Sequence, residues 1–214
     1  KKQVAANATK TEFRTRNIHM PDQTMKSVGS GEILTIRKQS LQDLIPRLQH
    51  HNVSARRQGL EGIKELAEIA ASDPSRIDPV AQQLGMVLTE TCKLMTDTEG
   101  SVRSTLISLL SYLISHYPSS SIQPHLNLVV IYICNGMTHI HKNIRSHSLE
   151  FLDLFHSHLP NLISQFTKSL IPNYIYLLKL ASRTVNNTAN SNSDDSEGKK
   201  DKTNNLRLKI ISSF

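Results

Sequence analysis

The chain has 214 residues, 25 Lys/Arg against 18 Asp/Glu, a net charge of +7 and only two cysteines, Cys92 and Cys134. That length allows one sizeable domain or a solenoid of a few helical repeats, and two thiols, both expected to be buried, fit a reduced intracellular compartment better than a disulfide-stapled scaffold. The longest apolar stretch, Leu126 to Met137, is interrupted by Asn127 and Asn135 and falls short of the roughly 18 residues a membrane span needs; the N-terminal KKQVAANATKTEFRTR has no apolar run of the signal-peptide kind.

Residues 1–64 hold 12 Lys/Arg against 5 Asp/Glu, whereas residues 65–214 hold 13 of each, so the excess positive charge belongs to the N-terminal end. A basic end of this kind suits phosphate or an acidic protein surface by counterion release and steering. Within it, residues 1–32 show scattered apolar positions, two nearby glycines (Gly29 and Gly31) and no sustained helical period. They read as an extended basic arm that orders against a partner or against the body of the domain.

From Ile33 the pattern changes. Leu41, Leu44, Ile45 and Leu48 fall on one helix face and open a series of helices expected to occupy residues 33–185. Three later segments then align beneath one another: ARRQGLEGIKEL from Ala55, VRSTLISLLSYL from Val102 and IRSHSLEFLDLF from Ile144. Each places an arginine (Arg56, Arg103, Arg145) after a small or apolar residue, with apolar residues four, seven and ten positions further on. The arginines stand 47 and 42 residues apart, inside the period of about 40–47 residues typical of HEAT and armadillo units.

Between these segments lie partner helices with stripes of their own, Val80, Leu84, Val87, Leu88 and Met95 in one and Ile122, Leu126, Val129 and Ile133 in the next. Turn chemistry separates them at HHN before Val53, at Asp73 to Pro79, at DTEG before Ser101 and at Tyr117 to Ser121. Pro118 and Pro160 are expected to close the second helix of their repeats, and Pro172 to break or kink the apolar run of a fourth unit beginning at Asn161. The fold class predicted is therefore all-α, a HEAT/armadillo-like α-solenoid of three to four helix pairs with an extended N-terminal arm.

Residues 186–205, NNTANSNSDDSEGKKDKTNN, contain no large apolar side chain and cannot offset their ordering entropy by burial, so a disordered polar insertion is expected there. Helical pattern resumes over residues 206–214 as the start of a further, truncated helix. The chain thus reads as a piece of a longer protein.

No catalytic pattern emerges: GxSxG, a Walker-type loop, GxGxxG and HExxH are all missing. Cys92 falls on the apolar side of its helix, which favours a structural thiol over a nucleophile. The ten histidines include His50 with His51, the pair His139 and His141, His147, and the pair His156 and His158, but none has i, i+4 spacing or a CxxC partner, so no metal site and no cofactor are expected. The repeated arginine admits a row of cations along a groove or, as the more ordinary reading, bonds to a neighbouring carboxylate or helix end; Asp97, six residues before Arg103, is the candidate partner. Lys10, Arg14, Arg16, Arg37, Lys38, Arg47, Arg56 and Arg57 are candidates for RNA phosphate contact. Base stacking is poorly served, since Phe13 is the only aromatic in that region.

Three segments resemble the Ipi-type pre-rRNA-processing proteins, called testis-expressed protein ten in animals. Thr9 to Gln23 is similar to that family's N-terminal signature, Ser40 to Leu66 to its first repeat, with Leu60, Gly62 and Ile63 in place of Leu-Gly-Leu, and Gly136 to Phe155 to its Met-Thr-His-Ile segment and the helix after it. The resemblance implies a non-catalytic scaffold subunit of the nuclear Rix-type complex, or rixosome, acting in large ribosomal subunit biogenesis and removal of the second internal transcribed spacer. It implies as partners a long helical scaffold subunit, a WD-repeat subunit, the large-subunit precursor and an AAA-type remodelling ATPase. Phe13, Arg14, Arg16, Ile18 and Pro21 of the arm would then meet a partner protein. A direct RNA-binding helical-repeat module using the basic end is the alternative.

Overall fold

The structure, a computed structural model, describes residues 33–73 and 75–189, with side-chain surroundings to residue 180. The expectations for residues 1–32 and 190–214 lie outside these described residues. Within them the chain is helical without a strand. The first pair is α1 (Leu41–Leu44), continued by a 3-10 turn Ile45–Gln49, and α2 (Val53–Ser72). The second comprises α3 (Pro79–Gln82), α4 (Leu84–Cys92) with a 3-10 turn Lys93–Thr96, and α5 (Gly100–His116). The third comprises α6 (Ser119–Ile122), a 3-10 turn Gln123–His125, α7 (Leu126–Met137) and α8 (Lys142–His158). A fourth opens with α9 (Pro160–Ile163), a 3-10 turn Ser164–Phe166 and α10 (Thr167–Ala189).

The second helices stack on one another, α2 on α5 and α5 on α8, and the first helices form a parallel tier in which α4 meets α7 and α7 meets α10. This is the two-tier solenoid the period predicts, and it buries one continuous core. The aligned apolar positions meet inside it: Leu60, Ile63 and Leu66 are closed to solvent, as are Leu110, Leu113, Leu149, Leu152 and Phe155, while Ile107 is half-buried at the rim. All the predicted partner-helix positions from Val80 to Ile133 are also buried. Truncating one of these leucines to alanine removes apolar contacts and leaves a cavity, at a cost of about 2–5 kcal/mol.

Several local expectations change in the structure. The regular helix begins at Leu41 and not at Ile33; Ser40 caps it, its N–H donating to Asp43 Oδ2 at 3.0 Å. Pro46 then tightens residues 45–49 into a 3-10 turn, because proline cannot donate the i to i−4 bond. Pro172 does not break its helix: α10 runs through it, held in register by Leu170, Tyr174 and Leu177, all buried. The same helix continues through residues 186–189, four beyond the expected start of the polar insertion. Pro118 and Pro160 do follow α5 and α8, as N-cap of α6 and first residue of α9. Cys92 is buried but Cys134 only half so, with its Sγ 3.8 Å from the Ser169 carbonyl.

Where tiers cross, glycine permits the approach. A Cβ at Gly62 would lie 2.7 Å from Leu44 Cδ2, so α2 reaches α1 this closely only without a side chain there. A Cβ at Gly136 would overlap the Ser148 hydroxyl, which is itself tied to the Ile144 carbonyl at 2.8 Å.

Candidate functional site

The repeated arginine organises one edge of the stack. Each guanidinium turns back over the junction between its own helix and the preceding one. Arg56 Nη1 donates to the carbonyls of His50 (2.9 Å) and His51 (3.0 Å), Arg145 Nη1 to those of His139 and Ile140 (2.6 Å each), and Arg103 Nη1 to that of Asp97. The acceptors are carbonyls left without helical partners where the first-tier helix ends, and the cation meets the negative end of that helix.

The residue six before each arginine has a second task in every repeat. His50 Nδ1 accepts the Asn52 N–H at 3.0 Å, Asp97 Oδ1 the Glu99 N–H at 2.9 Å, and His139 Nδ1 the His141 N–H at 3.1 Å. Asn52, Glu99 and His141 are the N-cap residues of α2, α5 and α8. A side-chain acceptor at this place therefore fixes the turn that starts each second helix, in the manner of an Asx turn. This accounts for His50 and His139, which had stood out in the sequence as parts of histidine groups. The signal that would have found it was already there, an acceptor-bearing residue six positions ahead of each arginine.

The arginines also tie one repeat to the next. Arg56 Nε lies 2.7 Å from Asp97 Oδ2 and its Nη2 donates to Oδ1 at 3.0 Å, with the two side chains only 12% and 7% exposed. Asp97 thus offers its carbonyl to Arg103, as expected, but its carboxylate to Arg56 of the preceding repeat. Arg103, itself 1% exposed, approaches His147 Nδ1 of the following repeat at 3.2 Å, a nitrogen that also faces the Asn143 carbonyl at 2.8 Å, so it accepts from Arg103 only in the tautomer that gives up that carbonyl. Burial pulls the Arg103 guanidinium below its ordinary pKa, while Asp97, Glu99 and Glu150 pull it back up. Arg145 is shifted down by burial too, with Tyr176 alone opposing it.

The remaining candidate cations divide into two groups. Arg56 is occupied as described, and Arg47 is half-buried, its guanidinium 2.6 Å from the Gln39 amide oxygen once that amide is turned to accept. Arg37 and Lys38 are exposed on the turn before α1, where Lys38 adopts φ 57°, and Arg57 is exposed beside Glu61 at 3.3 Å. Lys10 and the arm residues Phe13, Arg14, Arg16, Ile18 and Pro21 lie outside the described residues. Among the described residues no three His, Cys, Asp or Glu side chains converge in a way that would hold a metal, and no helix is long and apolar enough to cross a membrane. Burial drives the Cys92 thiol up to about 12, far from a nucleophile's range.

Residues 120–214 match the family model of a Rix1 complex component involved in 60S ribosome maturation. The chain is 34% identical over 128 residues, 60% of its length, to the testis-expressed protein 10 homolog of Danio rerio, and spans 13% of that relative. A chain of the solved Rix1–Rea1 pre-60S particle superposes on it with a TM-score of 0.61 at 20% identity, covering 100% of this chain and 77% of that one. At that identity the likeness shows the shared helical fold.

Proposed function

We propose that this chain is an Ipi-type protein and acts as a non-catalytic assembly subunit in maturation of the large ribosomal subunit. The match of residues 120–214 to a family of Rix1 complex components carries this reading. The use of Arg56, Arg103 and Arg145 as internal ties supports it, because those side chains are committed to turn carbonyls, and Arg56 also to Asp97 of the next repeat, and not to a reacting group. In this reading the arm, through Phe13, Arg14, Arg16, Ile18 and Pro21, and a lateral helical face dock on a long helical scaffold subunit. A WD-repeat subunit, the pre-60S particle and its AAA-type ATPase complete the assembly in the nucleus, where processing of the second internal transcribed spacer depends on it.

The exposed Arg37, Lys38 and Arg57, in the N-terminal part of the sequence that holds the excess of positive charge, favour one further reading, direct contact with rRNA phosphate. A pull-down of the chain against the scaffold subunit and against a pre-rRNA transcript, each over a salt series, separates the two. Scaffold retained at high salt with RNA lost early supports the assembly subunit. Tight RNA binding without scaffold replaces it with an RNA clamp, and deletion of residues 9–23 with no loss of scaffold affinity refutes the docking role of the arm.

A further inference from the structure

The outer face of the first tier changes character along the stack. Buried positions set the register between its helices: Val87, Leu88 and Met95 correspond to Val129, Val130 and Met137, 42 residues on, and Leu126, Val130 and Ile133 of α7 correspond to Leu170, Tyr174 and Leu177 of α10, 44 residues on. In that register Ile131 stands where the second repeat has Thr89 and the fourth has Ile175, and Tyr132 stands where they have Glu90 and Tyr176. Thr89 and Glu90 give α4 a polar exterior, with Glu90 paired to Lys93 at 2.7 Å. The third and fourth repeats replace them with isoleucine and tyrosine and leave much of these in water: Ile131 is 47% exposed, Ile175 44% and Tyr176 45%. Ile171, one turn before Ile175, is 40% exposed. Four of the eight large apolar side chains that stand exposed among the described residues thus fall on two helices that pack side by side.

The charge around this face has one sign. Neither α7 nor α10 carries an Asp or Glu, and no acidic residue occurs from Leu154 to Ser193. Lys168 and Lys179 are both exposed and stand seven residues before and four after Ile175, which places all three on one side of α10. The two lysines are about 16 Å apart along the helix axis and bracket the apolar stretch. Neighbouring helices of one tier leave a shallow groove between them, and this one is apolar along its length with a lysine beyond each end.

We infer that the outer face of α7 and α10 receives an amphipathic helix of a partner protein, which lays its apolar side between Ile131 and Ile175 and carries Asp or Glu about three turns apart to meet Lys168 and Lys179. The inference rests on the assembly-subunit reading and identifies the lateral face of that reading. A second copy of this chain fits poorly, because it would set lysines against lysines with no carboxylate between them. rRNA phosphate would use the lysines and leave the isoleucines and tyrosine without a role. An anionic bilayer calls for a denser cluster, of about four to eight cations. A helix with one apolar side and acidic flanks uses both halves of the face.

The test is the affinity of the 214-residue chain for the scaffold subunit over a salt series. It compares the unsubstituted protein with Ile131→Asp, Ile175→Asp, Ile175→Leu, the pair Lys168→Gln with Lys179→Gln, and, as a control, Ile77→Asp in the connection before α3, where the isoleucine is 69% exposed. All these side chains stand exposed, so far-ultraviolet circular dichroism should be the same for every variant. Each isoleucine-to-aspartate change on α7 or α10 should weaken binding by about tenfold or more, Ile175→Leu should retain it, and Ile77→Asp should change nothing. The lysine pair should slow association and flatten its salt dependence. Equal affinity in all variants, or an unaltered salt dependence in the lysine pair, overturns the inference while the assembly reading stands; no scaffold binding by the unsubstituted chain overturns both. Self-association in sedimentation that Ile131→Asp abolishes, or binding to anionic lipid vesicles lost in the same variant, gives the face to another occupant and likewise overturns the inference.

Discussion

Replacing Asp97 with asparagine removes one charge from the junction of the first two repeats and nearly nothing else. The amide oxygen still accepts the Glu99 N–H, and Arg103 is unaffected because it uses the Asp97 main-chain carbonyl. What is lost is the carboxylate facing Arg56 across 2.7 Å with both side chains largely out of water. Removing one partner of a fully buried ion pair costs about 3–5 kcal/mol. Here Arg56 retains the His50 and His51 carbonyls and some exposure, so about 2 kcal/mol is expected. With an m-value near 2 kcal/mol per molar urea, the midpoint should fall by about 1 M. The chain has no tryptophan, so unfolding is best followed by far-ultraviolet circular dichroism, and a double-mutant cycle with Arg56→Gln isolates the pair. A coupling energy below about 0.5 kcal/mol, in the range of an exposed pair, would refute the view that this rung ties the repeats.

Three other outcomes follow from particular contacts. Gly136→Ala drives a methyl into the Ser148 hydroxyl and should lower stability by about 1–3 kcal/mol in thermal unfolding; adding Ser148→Ala should recover only part of that, since the two Cβ atoms would still lie 3.1 Å apart. Tyr117→Phe removes the hydroxyl that donates to Asp78 Oδ2 at 2.6 Å and should cost about 1–2 kcal/mol, while leaving the bonds from the Val80 and Ala81 N–H groups to the N-cap Asp78 intact. The Cys92 thiol, raised from 9.0 to about 12 by burial, stays protonated in the folded chain at a pH where the unfolded chain ionises. The native state then binds more protons than the unfolded one, so stability is full below pH 9.0 and declines as pH rises from there toward about 12; Cys92→Val should flatten that decline in urea titrations, and an unchanged slope would count against burial as its cause.

The period, the tiers and the core were legible because apolar residues recur at fixed offsets from Arg56, Arg103 and Arg145, and those offsets are what packing selects. The boundaries were less so. Ile33 belongs to the core, 1% exposed, yet not to a helix, since an apolar residue signals burial whatever its backbone does. Pro172 costs one backbone bond and a local clash, but α10 is held by neighbours on both sides of it, and tertiary contact outweighs the local penalty. Residues 186–189 remain helical without large apolar side chains because they extend a helix already nucleated by Leu170 to Leu177.

Asp97 shows why pairing is harder to read than packing. By distance along the chain its natural partner is Arg103, six residues on, and the structure does join them, but through the carbonyl that any residue would supply. The side chain, the part the sequence specifies, serves the preceding repeat across 41 residues. In a stacked fold the informative separation for a polar contact is the repeat length less the offset within the turn, not the local spacing. His50 and His139 occupy the same register as Asp97 and hold the same turn, but among the described residues neither pairs across repeats with a carboxylate's strength. The turn-holding role therefore requires only an acceptor, whereas the tie across repeats requires the acid. Substituting Asp97 by histidine should accordingly preserve the α5 cap and loosen Arg56, a separation of two roles within one side chain that exchange measured at the Glu99 amide and along α2 can resolve.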